Sequence, residues 1–237
     1  MLPVGETWKE ASEKAERCPA THALCGGLRF DLTTCRRSDE AHFQFYVGLR
    51  GVEITPALLQ QLEQRYPWQG QAPDVVLVMS HAKRAYLALK LNKQQAEGAA
   101  GVVRVEASDE LKKGQTVAPH PFMLLWPGLR LTGCRRDSTD QRQVQNNCAY
   151  RVVSVDSSRV VVALEVEGAQ PIQLSHQEAV QYLRLDCCRC YASVQGMTLR
   201  DRRLLLCDVR HRFMCHRKLY VAVSRVTDGR FLRVAGR

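Results

Sequence analysis

The run Asp74-Val-Val-Leu-Val-Met79 constrains the fold of this chain more than any other segment. Five apolar residues follow one another without the polar alternation of a half-exposed strand, and three of them are β-branched. Such a strand has to be covered on both faces, which is the habit of parallel sheets. Ser80 stands directly after it as an N-cap, and Ala82, Tyr86, Leu87 and Leu89 to Leu91 supply an apolar side for the helix that follows. A buried strand feeding a capped helix is the repeating unit of the α/β class.

The flanking sequence extends that pattern. Residues 28–33 read as a short strand, and Ser38 caps a helix that carries Phe43, Tyr46, Val47 and Leu49 and ends at Gly51. Thr55 and Pro56 place an N-cap ahead of a proline in the first turn of a helix over 57–65, and Pro67, Gly70 and Pro73 make a loop. After Pro119 the texture changes. Residues 122–126, 129–132, 150–155, 159–166 and 171–174 are short strands, with Asp156-Ser-Ser-Arg159 as a hairpin connection, so a small antiparallel β insert is expected. The α/β pattern then resumes through 182–185, a polar turn, a strand at 203–209, a helix near 216–226 and a last strand at 230–234.

Composition sets the function classes. At 237 residues, 45% hydrophobic and 24% charged, the chain can bury a real core. Its apolar runs are strand-length, too short to span a membrane. The first residues are charged and lack an apolar signal core, and ten cysteines in that setting read as reduced thiols, so an intracellular address is expected, with nucleus, cytoplasm and viral replication site equally open. The net charge of +10 comes largely from arginine, including Arg36-Arg37, Arg135-Arg136, Arg200 to Arg203 and Arg210 to Arg212. A planar guanidinium grips phosphate bidentately, so a polyanionic partner is expected.

Two motifs carry chemistry. Cys190-Tyr-Ala-Ser-Val-Gln195-Gly196-Met-Thr198 places a polar Q-G-x-T turn after a strand, where open α/β sheets bind ligands. One βα unit later, Leu219-Tyr220-Val-Ala-Val-Ser224-Arg225-Val226 breaks a buried helix face with a polar pair. Arg225 there either makes a structural salt bridge or reaches a phosphate as an arginine finger.

Together these segments resemble motifs V and VI of superfamily 1 DNA helicases, in the RecD-like and petite-integration-frequency branch and its large-virus relatives. Other segments agree in order over about residues 28–235. Leu32 to Asp39 resembles the family's L-x-x-x-x-R-Q-x-D segment, and Val76 to Arg84 resembles the strand and helix that open its second RecA-like lobe. Pro127 to Thr132 and Val144 to Asn147 resemble its G-x-x-V-x-L-T and N-G elements. The resemblance implies that Arg36 and Arg225 face the γ-phosphate of ATP, and that Gln195, Gly196 and Thr198 couple nucleotide state to a grip on single-stranded DNA. It further implies DNA contacts from Ser80, His81 and Lys83, and a small β barrel against the strand in which Tyr150 stacks on a base or packs in the core.

The departures are specific. The motif V threonine and histidine are replaced by Cys190 and Ala192, and the N-G element reads Asn146-Asn147. No G-x-x-x-x-G-K-[ST] occurs, so no P-loop holds the β- and γ-phosphates. Asp39-Glu-Ala-His42 spells a helicase motif II string but follows no buried strand, and reads as chance. Cys187, Cys188, Cys190, Cys215 and His216, or Cys18, His22 and Cys25, are zinc-capable types without a second C-x-x-C, so no metal site is assigned.

The expected fold is therefore α/β: a RecA-like parallel sheet flanked by helices with a small inserted antiparallel β barrel. Its expected parts are a lead-in over 1–26, lobe over 27–129, barrel over 130–181 and closing lobe over 182–237. The expected function is the C-terminal lobe of an ATP-dependent 5′–3′ DNA helicase, inactive without a P-loop-containing first lobe in cis or in trans that brings ATP and Mg2+. The alternatives are a catalytically dead single-stranded nucleic-acid-binding module and a docking subunit for a separate ATPase lobe.

Overall fold

The computed structural model describes residues 18–24, 26, 38–108, 120–134 and 144–236. Two units divide after Arg36; the first contains the short helix α1 (Pro19–Leu24). The strand expected at 28–33 and Arg36 itself lie outside the described residues.

In the second unit β1 (Val75–Val78) is an interior strand of a four-stranded parallel sheet, flanked by β10 (Leu204–Leu206) and β9 (Cys188–Cys190), with β11 (Leu232–Val234) beyond β10. All four residues of β1 are buried, and successive side chains enter different cores. Val75 and Leu77 join Leu204, Leu206, Leu219 and Val223 on one face, while Val76 and Val78 join Ala88, Met123 and Leu205 on the other. The alternation of a pleated strand, with apolar matter on both sides, is the physical reason for an unbroken apolar run.

The first face is covered by α2 (Glu40–Val47), α3 (Pro56–Arg65) and α6 (His216–Val223). Thr55 caps α3 as expected, accepting Leu58 N–H at 3.2 Å. Ser38 does not cap α2. Asp39 does, taking His42 N–H at 2.8 Å with one oxygen and Gly229 N–H at 2.9 Å with the other. His42 is buried between the Tyr66 hydroxyl and the Val223 carbonyl, at 2.9 and 3.0 Å. The motif-II-like string is thus a helix cap and a core histidine.

The second face is covered by α4 (His81–Ala96) and by two antiparallel sheets. Ser80 caps α4, but the buried column is Arg84, Ala88 and Asn92, four residues apart, with Tyr86 67% exposed and Ala82 exposed. Helical phase set by the cap overrides the sum of apolar residues along the segment. Asn92 imitates a strand partner, donating to Leu124 O and accepting Leu124 N–H, both at 2.9 Å. Those bonds fix β3 (Phe122–Leu125), which pairs with β2 (Val103–Glu106).

The larger sheet runs in the order β7 (Ile172–Ser175), β6 (Arg159–Leu164), β5 (Ala149–Val155), β4 (Arg130–Gly133), β8 (Leu183–Leu185). Asp156 closes the β5–β6 hairpin by accepting Ser158 and Arg159 N–H groups at 2.8 and 3.0 Å. Between β7 and β8 lies α5 (His176–Tyr182), opened by a capping box in which Ser175 and Glu178 bond each other's backbone. Residues 183–185 belong to this sheet by their pairing with β4, although the sequence groups them with the returning α/β part.

A two-residue turn, Asp186-Cys187, carries the chain from β8 directly into β9. Asp186 is 2% exposed, and its carboxylate accepts Thr132 Oγ1 at 2.8 Å and Arg189 Nε at 2.9 Å while pairing with Arg202 at 2.9 Å. Burial pushes this carboxyl up, but the Arg189 and Arg202 guanidiniums outweigh it and hold it below the ordinary carboxylate value. Removing one member of such a network strands buried charge. Asp186→Ala is expected to destabilise the fold by about 3–5 kcal/mol in urea unfolding. Because the folded value is lowered, the stabilisation is present above the unfolded value and fades as pH falls through the folded one, so wild type and variant should converge in acid.

Candidate nucleotide and nucleic-acid interface

The carboxyl ends of the parallel strands gather most of the residues singled out in the sequence. Two residues past β1 stands Ser80, whose hydroxyl accepts Lys83 N–H at 3.1 Å and so starts α4. His81 is exposed, and its Nδ1 lies 3.5 Å from Cys190 Sγ at the end of β9. Lys83 is ion-paired to Asp208, just past β10, and Asp208 also accepts Met79 N–H at 3.1 Å. Asp208 holds φ +59°, a left-handed conformation that short polar side chains tolerate. It fastens the ends of two strands and the head of α4, and its only sequence signal was an aspartate closing an apolar run.

From Cys190 the chain makes a 3-10 turn (Tyr191–Val194) and enters Gln195-Gly196-Met197-Thr198. Tyr191 is 2% exposed, and its hydroxyl donates to Cys207 O at 2.6 Å, anchoring this turn to the chain just past β10, on the far side of β1. Gly196 has φ +83°, with no atom within 4 Å of where a Cβ would stand. Glycine is therefore needed for the backbone conformation, and space remains above it. Gln195 and Thr198 are exposed on either side.

Arg225 joins the two motifs. It follows α6, is 8% exposed, and donates from Nε to Val221 O at 2.7 Å, from one terminal nitrogen to Met197 O at 3.0 Å and from the other to Ser224 Oγ at 2.9 Å. Its own carbonyl accepts Leu199 N–H at 2.8 Å, and Leu199 bridges Val226 in parallel. The fork thus spans the helix end and the Q-G-x-T turn, so displacement of either strains the other. Gln195, Gly196, Thr198 and Arg225 are brought into one assembly.

Tyr150 is not part of that surface. It is 1% exposed in the core of the larger antiparallel sheet, and its hydroxyl accepts Gln145 N–H at 2.7 Å, so no ring face is open to a base. The aromatic group exposed past β10 is Phe213, 60% exposed, with the Arg212 guanidinium 4.7 Å from its ring centre and His211 beside it. The pattern Arg210-His-Arg-Phe213, a basic run interrupted by an aromatic, was its sequence signal. Asn147, which replaces the glycine of an N-G turn, adopts φ +62° and accepts from Arg184 at 2.8 Å, so it keeps the turn and adds a side-chain bond.

The cysteines around β9 are core groups. Burial pushes Cys187 up to about 12 and raises Cys188 also, which keeps both thiols protonated. Among the described residues no three histidine, cysteine or acidic side chains are grouped to hold a metal ion, and no helix is long and apolar enough to cross a membrane.

Arg225→Ala leaves the Met197 and Val221 carbonyls without this donor. A loss of about 1–3 kcal/mol is expected in denaturant unfolding, and Arg225→Lys should not restore it because an ammonium cannot span both acceptors.

No family model and no curated protein sequence matches this chain. Solved structures do match. Pif1 helicase from Candida albicans aligns with 84% of this chain and 53% of its own, at a TM-score of 0.58 and 14% identity. Bacteroides Pif1 in complex with ADP-AlF3 and single-stranded DNA aligns with the whole chain and 60% of its own, at 0.57 and 16%. Bacteroides Pif1 bound to single-stranded DNA aligns likewise, at 0.56 and 16%. The chain spans just over half the length of these neighbours. At such identities the likeness is one of fold alone: an α/β fold with a RecA-like parallel sheet, flanking helices and a curled antiparallel sheet.

Proposed function

We propose that these residues form the second RecA-like lobe of an ATP-dependent DNA helicase that moves 5′ to 3′ on single-stranded DNA and works with a P-loop lobe, in cis or in trans. The observation that carries this reading is the bonding of Arg225 to the Q-G-x-T backbone, which joins a candidate nucleotide sensor to a candidate DNA loop. With no P-loop in the sequence and no metal-ligating group of three among the described residues, ATP phosphates and Mg2+ would be held mainly by the other lobe. This chain would add Arg225, and by resemblance Arg36, as positive charge against the transferring phosphoryl group.

In this reading, lobe closure draws the Arg225 fork from Met197 toward phosphate, and the released turn shifts its grip on the strand. Ser80, His81 and Thr198 supply hydrogen bonds to the DNA backbone, and Phe213 takes the stacking role first assigned to Tyr150. Lys83, held by Asp208, positions the head of α4. The exposed Ala192, where the family has a histidine, favours the second reading, a binding module without catalysis.

Binding to a fluorescent oligothymidylate across a salt series, and ATPase with and without an added P-loop lobe, separates the two. The helicase-lobe proposal expects salt-sensitive binding, no hydrolysis by these 237 residues alone and hydrolysis on mixing. Hydrolysis by the chain alone would overturn it, as would binding with no hydrolysis whichever P-loop lobe of this helicase type is supplied, which leaves the module. Phe213→Ala should weaken oligomer binding by about 1–3 kcal/mol.

A further inference from the structure

Arg84 is an anomaly in the core. It sits in the first turn of α4 at 5% exposure, and its Nε has no hydrogen-bond partner. His120, which leads into β3, is 6% exposed with Nδ1 equally unpartnered. Arg184 on β8 is half-buried, and its one hydrogen bond among the described residues goes to neutral Asn147. The helix α4 packs against β3, β8 and β9, so the three basic groups come from elements that meet. None of them pairs with a carboxylate among the described residues, and the buried carboxylate nearest in sequence to Arg184, Asp186, is already engaged by Arg189 and Arg202.

Their charges bear on one another. Burial first, then Arg84 and Arg184, pulls His120 down to about 4, so the ring is neutral at pH 7. Burial and then the Arg189 and Arg84 charges also lower Arg184. The Cys190 thiol is raised by burial and opposed by the same two arginines, while His81 Nδ1 stands against its sulfur. Cys134, just past β4, also bears on Arg184.

A desolvated cation with no counter-charge is strongly unfavourable, and folds keep such groups where a ligand supplies the missing charge. We infer that Arg84, Arg184 and His120 form a binding site for a phosphoryl oxyanion at the head of α4. The guanidiniums offer the charged, forked donors that phosphate geometry favours, and His120 adds a ring nitrogen that gains a proton as the anion enters. The inference leans on the preceding reading only for the source of the anion, a backbone phosphate of a bound strand; free inorganic phosphate shares the chemistry.

Thermal unfolding and isothermal titration test it with inorganic phosphate, with chloride at equal ionic strength, and with oligothymidylate, on wild type and Arg84→Leu. Phosphate is expected to raise the wild-type melting temperature where chloride does not. Arg84→Leu is expected to melt higher than wild type without ligand, since an uncompensated charge is gone, and to bind phosphate at least about tenfold more weakly. Loss of oligomer affinity in the same variant identifies a strand phosphate as the source; loss of inorganic phosphate binding alone identifies free phosphate. Oligomer binding absent from wild type with phosphate binding intact would sink the helicase-lobe reading and leave this site standing. In wild type, proton resonances of His120 should titrate near 4 and move upward with phosphate, which covers a variant that fails to fold. A lower melting temperature in Arg84→Leu with undiminished phosphate binding, or a His120 titration indifferent to phosphate, overturns the inference.

Discussion

The buried carboxylate of Asp186 is where the parallel sheet and the five-stranded antiparallel sheet of the larger unit are fastened together. It occupies a two-residue turn whose entry strand belongs to the antiparallel sheet and whose exit strand belongs to the parallel one. Thr132 reaches it from β4, Arg189 from β9 and Arg202 from just ahead of β10, so three segments converge on one buried charge. A network of this kind is a poor source of net stability but a strict one of geometry, because each partner is strongly unfavourable alone. It sets where β9 begins, and hence where its carboxyl end delivers Cys190 and the turn beyond.

That delivery matters because the candidate site is an edge held by cross-links. Asp208 ties Met79 and Lys83, His81 meets Cys190, Tyr191 anchors to Cys207, and Arg225 grips Met197. Each link joins loops or strand ends that the sequence keeps apart. Cross-links of this kind let the displacement of one loop be felt by the others. Arg225 and Arg84 show two settings for a buried arginine. The first is bonded to backbone carbonyls and stabilises a contact between motifs, and the second has an Nε without a hydrogen-bond partner among the described residues.

Local signals were legible where the physics is local. Thr55 and Ser80 cap the helices they precede, and the Asp156 hairpin closes on its own carboxylate. Ser38 yielded to Asp39 because the aspartate also reaches Gly229, a partner 190 residues away that no local reading contains. The helix α5 had a legible capping box, Ser175 to Glu178, masked by its position among valine-rich strands. Tyr150 carried the same side chain in the core role as in the stacking role; only burial separates them.

By itself the sequence determined the class of fold and the order of its parts. An unbroken apolar strand must be covered on both faces, and caps, turns and glycines act within a few residues of themselves. It also determined that Gln195, Gly196, Thr198 and Arg225 stand one βα unit apart. Only the tertiary structure decided that Arg225 bonds the Met197 carbonyl, that residues 183–185 pair with β4, that Phe213 is open while Tyr150 is closed, and that Arg84 is buried with no carboxylate paired to it among the described residues. Those are properties of what packs against a residue from distant segments, and a linear pattern carries no distance between them.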